Sequence, residues 1–417
     1  MRASIFPTLL AFTTSTAFTA ASDVSSTTWS DWDEMQSNLF ESVKVVGAGH
    51  SFSAITLTDE KADEAGKSLL LNLDNYTGII SCDEPSDEGE VETTNCYVRA
   101  GTRLRDLNDM LESRGLAFIN LGATAAQSVA GAISTSTHGT GREIGSISTA
   151  VRGLKIVDSN GDVITADSNE NVDVYTHART SMGAFGVIME VTLNVVPIWK
   201  MKRTIFDMPL ETLISNHDDL YKKYSRFQWS YIPYADPPTA SVMIREDVDW
   251  DTSGVGCWDS TANVHVEAKL LDGSGGDAVQ VDSSVCVDVS YKVLVDSYDR
   301  YLNRSLYTEM EMFVDVKHTI DVLKDFLAFQ ESVKDEHSES ASLFCNMRYV
   351  AADDIPTSMM FRERCGGFFV HYDGGSDYDG RSGRVRALRQ RVGGDRERVD
   401  PNGLFLNDYL RERIIKK

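Results

Sequence analysis

A chain of 417 residues, 42% hydrophobic and 25% charged, carries enough apolar material for more than one core. Its formal net charge of −23 repels phosphate backbones and anionic lipid heads. No Lys/Arg block reverses that locally, which argues against a nucleic-acid-binding role.

The first residues, MRASIFPTLLAFTTSTAFTAAS, set one Arg ahead of an apolar, hydroxyl-rich stretch ending in small residues suited to cleavage near Ala17 or Ala21. This reads as a leader for secretion or entry into an organelle, such as the endoplasmic reticulum or a plastid. It is too short and too Thr-rich to span a bilayer. Six cysteines fit an oxidising compartment: Cys82 and Cys96 flank an acidic loop that a disulfide would staple, the alternative being that all six are small buried hydrophobes. Sequons at Asn75 and Asn303 agree with the first reading.

The β-branched run at 43–46 predicts a strand leading into GAGHSFS, a glycine-rich turn in which backbone can approach a ligand closely. A second strand is expected at 69–74. YVRAGTRLRDLNDMLESRG predicts a strand, an N-cap at Thr102, a helix with apolar positions at Leu104, Leu107, Met110 and Leu111, and a stop at Gly115. Residues 122–145 are mostly Gly, Ala and hydroxyl residues, with little bulk to keep a flat or extended partner away. A hairpin with Asn160–Gly161 at its tip follows, then an alternating strand over 183–197. From 199 the texture changes to amphipathic helices (LETLISNHDDLYKKYSRF, VKHTIDVLKDFLAFQESV) and aromatic-rich strands (FQWSYIPYADP, SLYTEMEMFVDV). This predicts a second α+β unit. Residues 373–398 read as a loop followed by a short basic helix.

VVGAGHSFS (45–53), AGTRLRDLNDMLESRGLAFINLGA (100–123), SVAGAISTSTHGTG (128–141), GAFGVIMEVTL (183–193) and DPNGLFLNDYL (400–410) resemble the aldonolactone oxidase branch of the vanillyl-alcohol-oxidase-type flavoproteins. That resemblance implies an α+β, two-domain FAD-binding fold. It divides the chain into a leader (1–21), an FAD-binding domain (22–198), a substrate or cap domain (199–390) and a C-terminal segment returning to the flavin (391–417). FAD would be cradled by Val46, Gly47, Ala48, Gly49, His50, Ser51, Ala123, Ser128, Gly131, Thr135, Ser136, Thr137, His138 and Ile188, with a covalent bond at His50. A turn His between Gly49 and Ser51 is also, on residue chemistry alone, more exposed to a ligand than a core His, and imidazole is a competent nucleophile.

The implied activity transfers a hydride from a hydroxyl-bearing carbon of a sugar-derived 1,4-lactone to flavin and then to O2, giving H2O2 and an ascorbate-type product. An alditol or sugar oxidase and a flavin-binding protein with a degenerate site are the alternatives. Gly122 matches the position where a small residue lets O2 reach the reduced ring. Relatives carry a Glu-x-Arg pair on one strand. Here the triplet is Asn346, Met347, Arg348, so the Arg survives and the carboxylate does not. Glu311 is a further polar candidate, and Trp229 and Tyr231 are either site-lining or core. The family's His-Trp-x-Lys motif has no counterpart between His371 and Asp400, a stretch without Lys in which Arg384 and Arg386 are the candidate replacement charges. No residue is assigned to a metal, and peripheral association with a membrane is left open.

Overall fold

The computed structural model describes residues 10–13, 26–27, 40–51, 53–84, 93–231, 236–258, 265–270, 279–295, 308–333, 344–361, 365–372, 400, 402–407 and 410–411. Asn303, the stretch 373–399 with Arg384 and Arg386, and most of the leader lie outside them.

Among the described residues three sheets carry the fold. The first orders β1 (Leu10–Thr13), β2 (Ser26–Thr27), β3 (Ser42–Val46) and β4 (Ser68–Asn72) as β2-β1-β4-β3, with β3 and β4 parallel. The place beside β4 is thus taken by residues from the stretch read as a leader. The second sheet runs β5-β6-β10-β8-β9, from β5 (Ile79–Cys82), β6 (Thr94–Arg99), β8 (Val151–Val157), β9 (Val163–Asp167) and β10 (Val187–Pro197), with β7 (Leu116–Ala117) also paired to β10. Helices α1 (Glu60–Glu64), α2 (Leu104–Glu112), α3 (Val129–Ser134) and α4 (Val172–Ala178) belong to this half.

Helix α2 buries Leu104, Leu107 and Leu111, one stripe at helical spacing, against the second sheet. Thr102 is not its N-cap. The Thr102 hydroxyl donates to Arg99 O (2.6 Å) and accepts from the Gly78 amide (2.8 Å), so it closes the preceding turn. Arg103 takes the cap position without a side-chain bond. Gly115 stands at φ +72° just past the helix, where a side chain would be strained. The β8–β9 hairpin turns at Asn160–Gly161 as expected, with Gly161 at φ +79° and Asp158 accepting from the amides of Asn160 and Asp162.

The third sheet has the order β14-β15-β11-β13-β12-β17-β18-β16. Its strands are β11 (Lys200–Pro209), β12 (Arg226–Tyr231), β13 (Thr239–Val248), β14 (His265–Leu270), β15 (Val279–Val289), β16 (Thr308–Asp315), β17 (Phe344–Val350) and β18 (Cys365–Tyr372). Helices α5 (Leu210–Lys223) and α7 (Thr319–Val333) cover one face; α6 is Ser290–Leu294. Alternation along the strands sends Phe227, Trp229, Tyr231, Val242, Ile244, Met347 and Tyr349 into the core under these helices. Trp229 and Tyr231 are therefore core residues. Trp229 donates its indole N–H to the Tyr349 hydroxyl at 3.0 Å.

The core of the first half also takes in Cys257, Cys286, Tyr291, Leu294, Phe405 and Leu406. Residues after 199 and the chain's last described segment thus complete the first core. Among the described residues two disulfides form. Cys82–Cys96 joins directly opposed positions of β5 and β6, and Cys257–Cys286, which sequence spacing did not single out, pins the 257 segment to β15. Cys345 is a buried free thiol. Closing a loop of 14 residues, the first disulfide contributes about 3 kcal/mol in the chain-entropy account.

Residues 400–411 clasp β3. The Val43 amide donates to Leu404 O (2.8 Å), and Lys44, only 2% exposed, donates its ammonium to Phe405 O (2.9 Å). Burial lowers the Lys44 pKa to about 7, partly opposed by Asp400. A lysine whose folded pKa lies below its unfolded value disfavours folding wherever the unfolded chain is charged. Stability should therefore rise with pH between about 7 and 10.5, where the unfolded state binds the extra proton. In urea unfolding from pH 7 to 9.5, this group contributes a slope of at most about 1.4 kcal/mol per pH unit, and Lys44→Met should remove it.

Candidate functional site

β3 delivers Val46 to the turn Gly47–Ser51. Gly49 sits at φ +71° with open space where a Cβ would stand. Among the described residues, no protein group accepts a hydrogen bond from the amides of 47–51. Successive undirected amides of this kind suit the oxygens of an anion. The turn is pressed onto the second glycine-rich segment: a Cβ on Gly47 would stand 2.5 Å from Ser128 Oγ. That hydroxyl accepts from the Gly131 amide and caps α3. Arg103 bridges to Ser128 through its backbone, binds Asp74 through Nη2 (2.5 Å), and keeps a buried Nη1 with no partner. It supplies a cation beside the turn. Burial first, and the Arg103 guanidinium second, push the His50 pKa below its ordinary value, so the imidazole is neutral at pH 7 and has a lone pair to offer.

Gly122 and Gly139 bring the 120–141 segment back on itself. A Cβ would lie 2.8 Å from the Thr137 methyl at Gly122, and 2.2 Å from Leu121 O at Gly139. Thr137 Oγ1 accepts from Gln127 Nε2 (3.1 Å), whose Oε1 is buried without a partner. Thr135 is exposed and donates to Gly131 O. Ser136, at φ +55°, pairs its hydroxyl with Thr180 (3.1 Å). Ile188 packs within the core cluster on β10. Ser136 and Ile188 are thus engaged inside the fold, whereas Val46, Ala48, Ala123 and Ser128 lie along the two facing turns.

Across from the 120–141 segment stands the face of the third sheet that its helices leave uncovered. On it lie Gln228, Ser230, Arg245, Asn346, Arg348, Glu311 and Phe313, the residues that alternate with the core positions. Leu121, Ala123 and Gly139 form one wall of a crevice; Gln228, Arg245 and Arg348 form the other. Arg245 is 4% exposed and is held by Val293 O (3.0 Å) and Gln228 Oε1 (2.8 Å). Asn346 is buried, and its Oδ1 has no hydrogen-bond partner. His138 ties the halves together: Nδ1 lies 2.8 Å from Gly139 O, Nε2 lies 2.8 Å from Glu311 Oε1, and the ring meets Phe313 edge-on. Sequence reasoning did not single out Arg103, Gln127, Gln228 or Arg245. Strand alternation next to Phe227 and Ile244 would have pointed to the last two.

The partnerless amides, the Arg103 cation and the orphaned Gln127 Oε1 give a donor and acceptor set that fits a large anionic, amide-bearing cofactor. Residues 40–167 match the family model described as an FAD binding domain. The chain is 31% identical over 216 residues to L-gulonolactone oxidase of Mus musculus, covering 52% of this chain and 45% of that one. It is 35% identical over 201 residues to D-arabinono-1,4-lactone oxidase of Yarrowia lipolytica, covering 48% and 36%. It thus spans less than half the length of these two relatives. A longer match, 27% identical with 89% and 90% covered, is to L-gulono-1,4-lactone dehydrogenase of Mycobacterium tuberculosis. Among solved structures, a cholesterol oxidase from Brevibacterium sterolicum superposes with a TM-score of 0.67 at 14% identity, 93% of each chain being covered. The fold is the two-domain FAD-binding fold of the vanillyl-alcohol-oxidase type, and the resemblance to the aldonolactone oxidase branch is borne out.

Gly47→Ala should weaken FAD binding about tenfold, in line with an overpacking cost of about 1 to 3 kcal/mol. Removing the opposing hydroxyl in Gly47→Ala/Ser128→Ala should restore most of it. Titration of the apoprotein with FAD, followed by flavin fluorescence, reads both.

Proposed function

We propose that the chain, built around an FAD-binding domain, is an FAD-dependent oxidoreductase that oxidises a hydroxyl-bearing carbon of a sugar-derived 1,4-lactone and passes the electrons to O2, giving H2O2. The carrying observation is that the glycine-rich 120–141 segment, onto which the His50 turn is pressed at Ser128, and the Arg348-bearing sheet face line the same crevice. The names of the relatives supply the substrate class, and the chain's own site supplies the chemistry.

FAD, when bound, supplies the two-electron acceptor. The amides of 47–51 and Arg103 would hold its diphosphate, with Ser128 and Gly131 beside them, and Gln127 and Thr137 would offer it further hydrogen bonds. His50, neutral at pH 7, would carry the flavin covalently. Arg348 and Arg245 orient the substrate and stabilise negative charge as it develops, in a junction where a buried guanidinium is poorly screened. Gly122, flush against Thr137, adds no side-chain bulk there and would leave the reduced flavin open to O2. The two disulfides support passage through an oxidising compartment.

The Asn346 amide, where relatives carry a carboxylate, favours one second reading: a flavin-binding protein that no longer turns over. Anaerobic mixing of the flavin-loaded protein with gulono-, galactono- and arabinono-1,4-lactones and with alditols separates the two. Bleaching of the flavin by a lactone, followed by H2O2 on admitting air, supports the oxidase. An unbleached flavin across the panel supports the second reading. Acid precipitation should leave the yellow colour in the washed pellet for the wild type and release it to the supernatant for His50→Ala. Colour released by both proteins removes the covalent assignment and leaves the rest standing.

A further inference from the structure

Two strands away from Asn346, the sheet presents another carboxylate on the same face. The register runs Asn346 to Phe369 across β17–β18 and Phe369 to Glu311 across β18–β16, so positions 346 and 311 occupy one row about 10 Å apart by strand spacing. The neighbouring row holds Arg348, Gly367 and Phe313. The Phe313 ring contacts His138 (5.4 Å between centroids), which fixes this face as the one turned to the glycine-rich segment. The charged or titratable positions around the pair are Arg348 in that row and, in the row on the other side, Glu309 and His371 in mutual register.

His138 is buried and both ring nitrogens face oxygen. A backbone carbonyl cannot donate, so Nδ1, 2.8 Å from Gly139 O, carries a proton. Nε2 then meets Glu311 Oε1 at 2.8 Å with one more proton between them. The pair joins a residue of the flavin segment to one of the cap sheet 173 positions later.

We propose that Glu311, held by the His138 ring, supplies the proton-accepting carboxylate that position 346 lacks; this rests on the oxidoreductase reading above. As a hydroxyl-bearing carbon becomes a carbonyl, the carbon gives one hydride, with two electrons, to the flavin. The oxygen gives one proton to the Glu311 carboxylate. His138 acts as a positioning residue, fixing the carboxylate through its Nε2.

The test uses the flavin-loaded full chain, its Glu311→Gln variant, and Glu311→Gln combined with Asn346→Glu. Loss of a general base costs about 10²- to 10⁴-fold. Glu311→Gln should therefore lose at least about 100-fold in kcat with its flavin retained, and the double variant should recover much of that by restoring a carboxylate in the same row. Independently of turnover, nitrogen NMR of histidine-labelled protein, with His138→Gln to assign the signal, should show the His138 Nε2 resonance move when Glu311→Gln removes its carboxylate partner. Unchanged kcat in flavin-loaded Glu311→Gln overturns the proposal, as does a His138 resonance indifferent to that substitution. Where the resonance responds but the wild type oxidises no lactone or alditol, the base assignment and the oxidoreductase reading fall together. An indifferent resonance in an active enzyme overturns the dyad alone.

Discussion

Close approach of backbone to backbone is the constraint on which the molecule depends. A methyl group on Gly101 would fall 1.9 Å from Leu73 O, one on Gly139 would fall 2.2 Å from Leu121 O, and one on Gly186 would fall 2.4 Å from Val157 O. These contacts cinch β4 to the turn before α2, fold the 120–141 segment on itself, and seat the start of β10 against β8. Any side chain there would move an entire strand, because the neighbour is main chain that cannot rotate away. The turn at His50 inherits its place from this framework.

The cap sheet contributes through alternation. One face is spent on the core under α5 and α7, and the other is handed to the flavin-binding half. The seam is closed by hydrogen bonds from fixed groups: Thr140 Oγ1 to Phe227 O, the Gly141 amide to Tyr349 O, and Arg142 to Tyr221 O. Arg226 reaches back to Ile119 O. Because donors stand on both sides of the seam, the sheet face is held in register with the glycine-rich segment as well as near it. Side chains such as Arg245 and Arg348 are thereby oriented by the strands that carry them.

Much of this was legible in local pattern. The leucine spacing of α2, the Asn160–Gly161 tip, the glycine-rich turn and the Cys82–Cys96 pair each depend on residues close together in the chain. What was not legible depends on partners far away. Thr102 has the composition of a cap, but Gly78, 24 positions earlier, claims its hydroxyl. Residues 257–295 have a strand-rich texture that does not say which core they join, and the second disulfide commits them to the first. The ambiguity of Trp229, core or site, is resolved only by the helices that cover one side of β12. Glu311 gains its meaning from His138, with which it shares no sequence neighbourhood.

The clasp of 400–411 on β3 has a bearing on how the chain is made. Val43 and Lys44 emerge early in synthesis, while the carbonyls of Leu404 and Phe405 that receive them follow some 360 positions later. Asn407 likewise reaches back to the carbonyls of Ala54 and Leu57. Until those residues leave the ribosome, the strand that carries the His50 turn has one flank open, and the buried ammonium of Lys44 has no carbonyl there to receive it. The flavin-binding half therefore cannot finish folding as a separate, earlier unit; it waits for the cap to be synthesised. Contacts of such sequence separation are slow to close, and the nascent protein must keep its unfinished edge from pairing with other chains in the meantime.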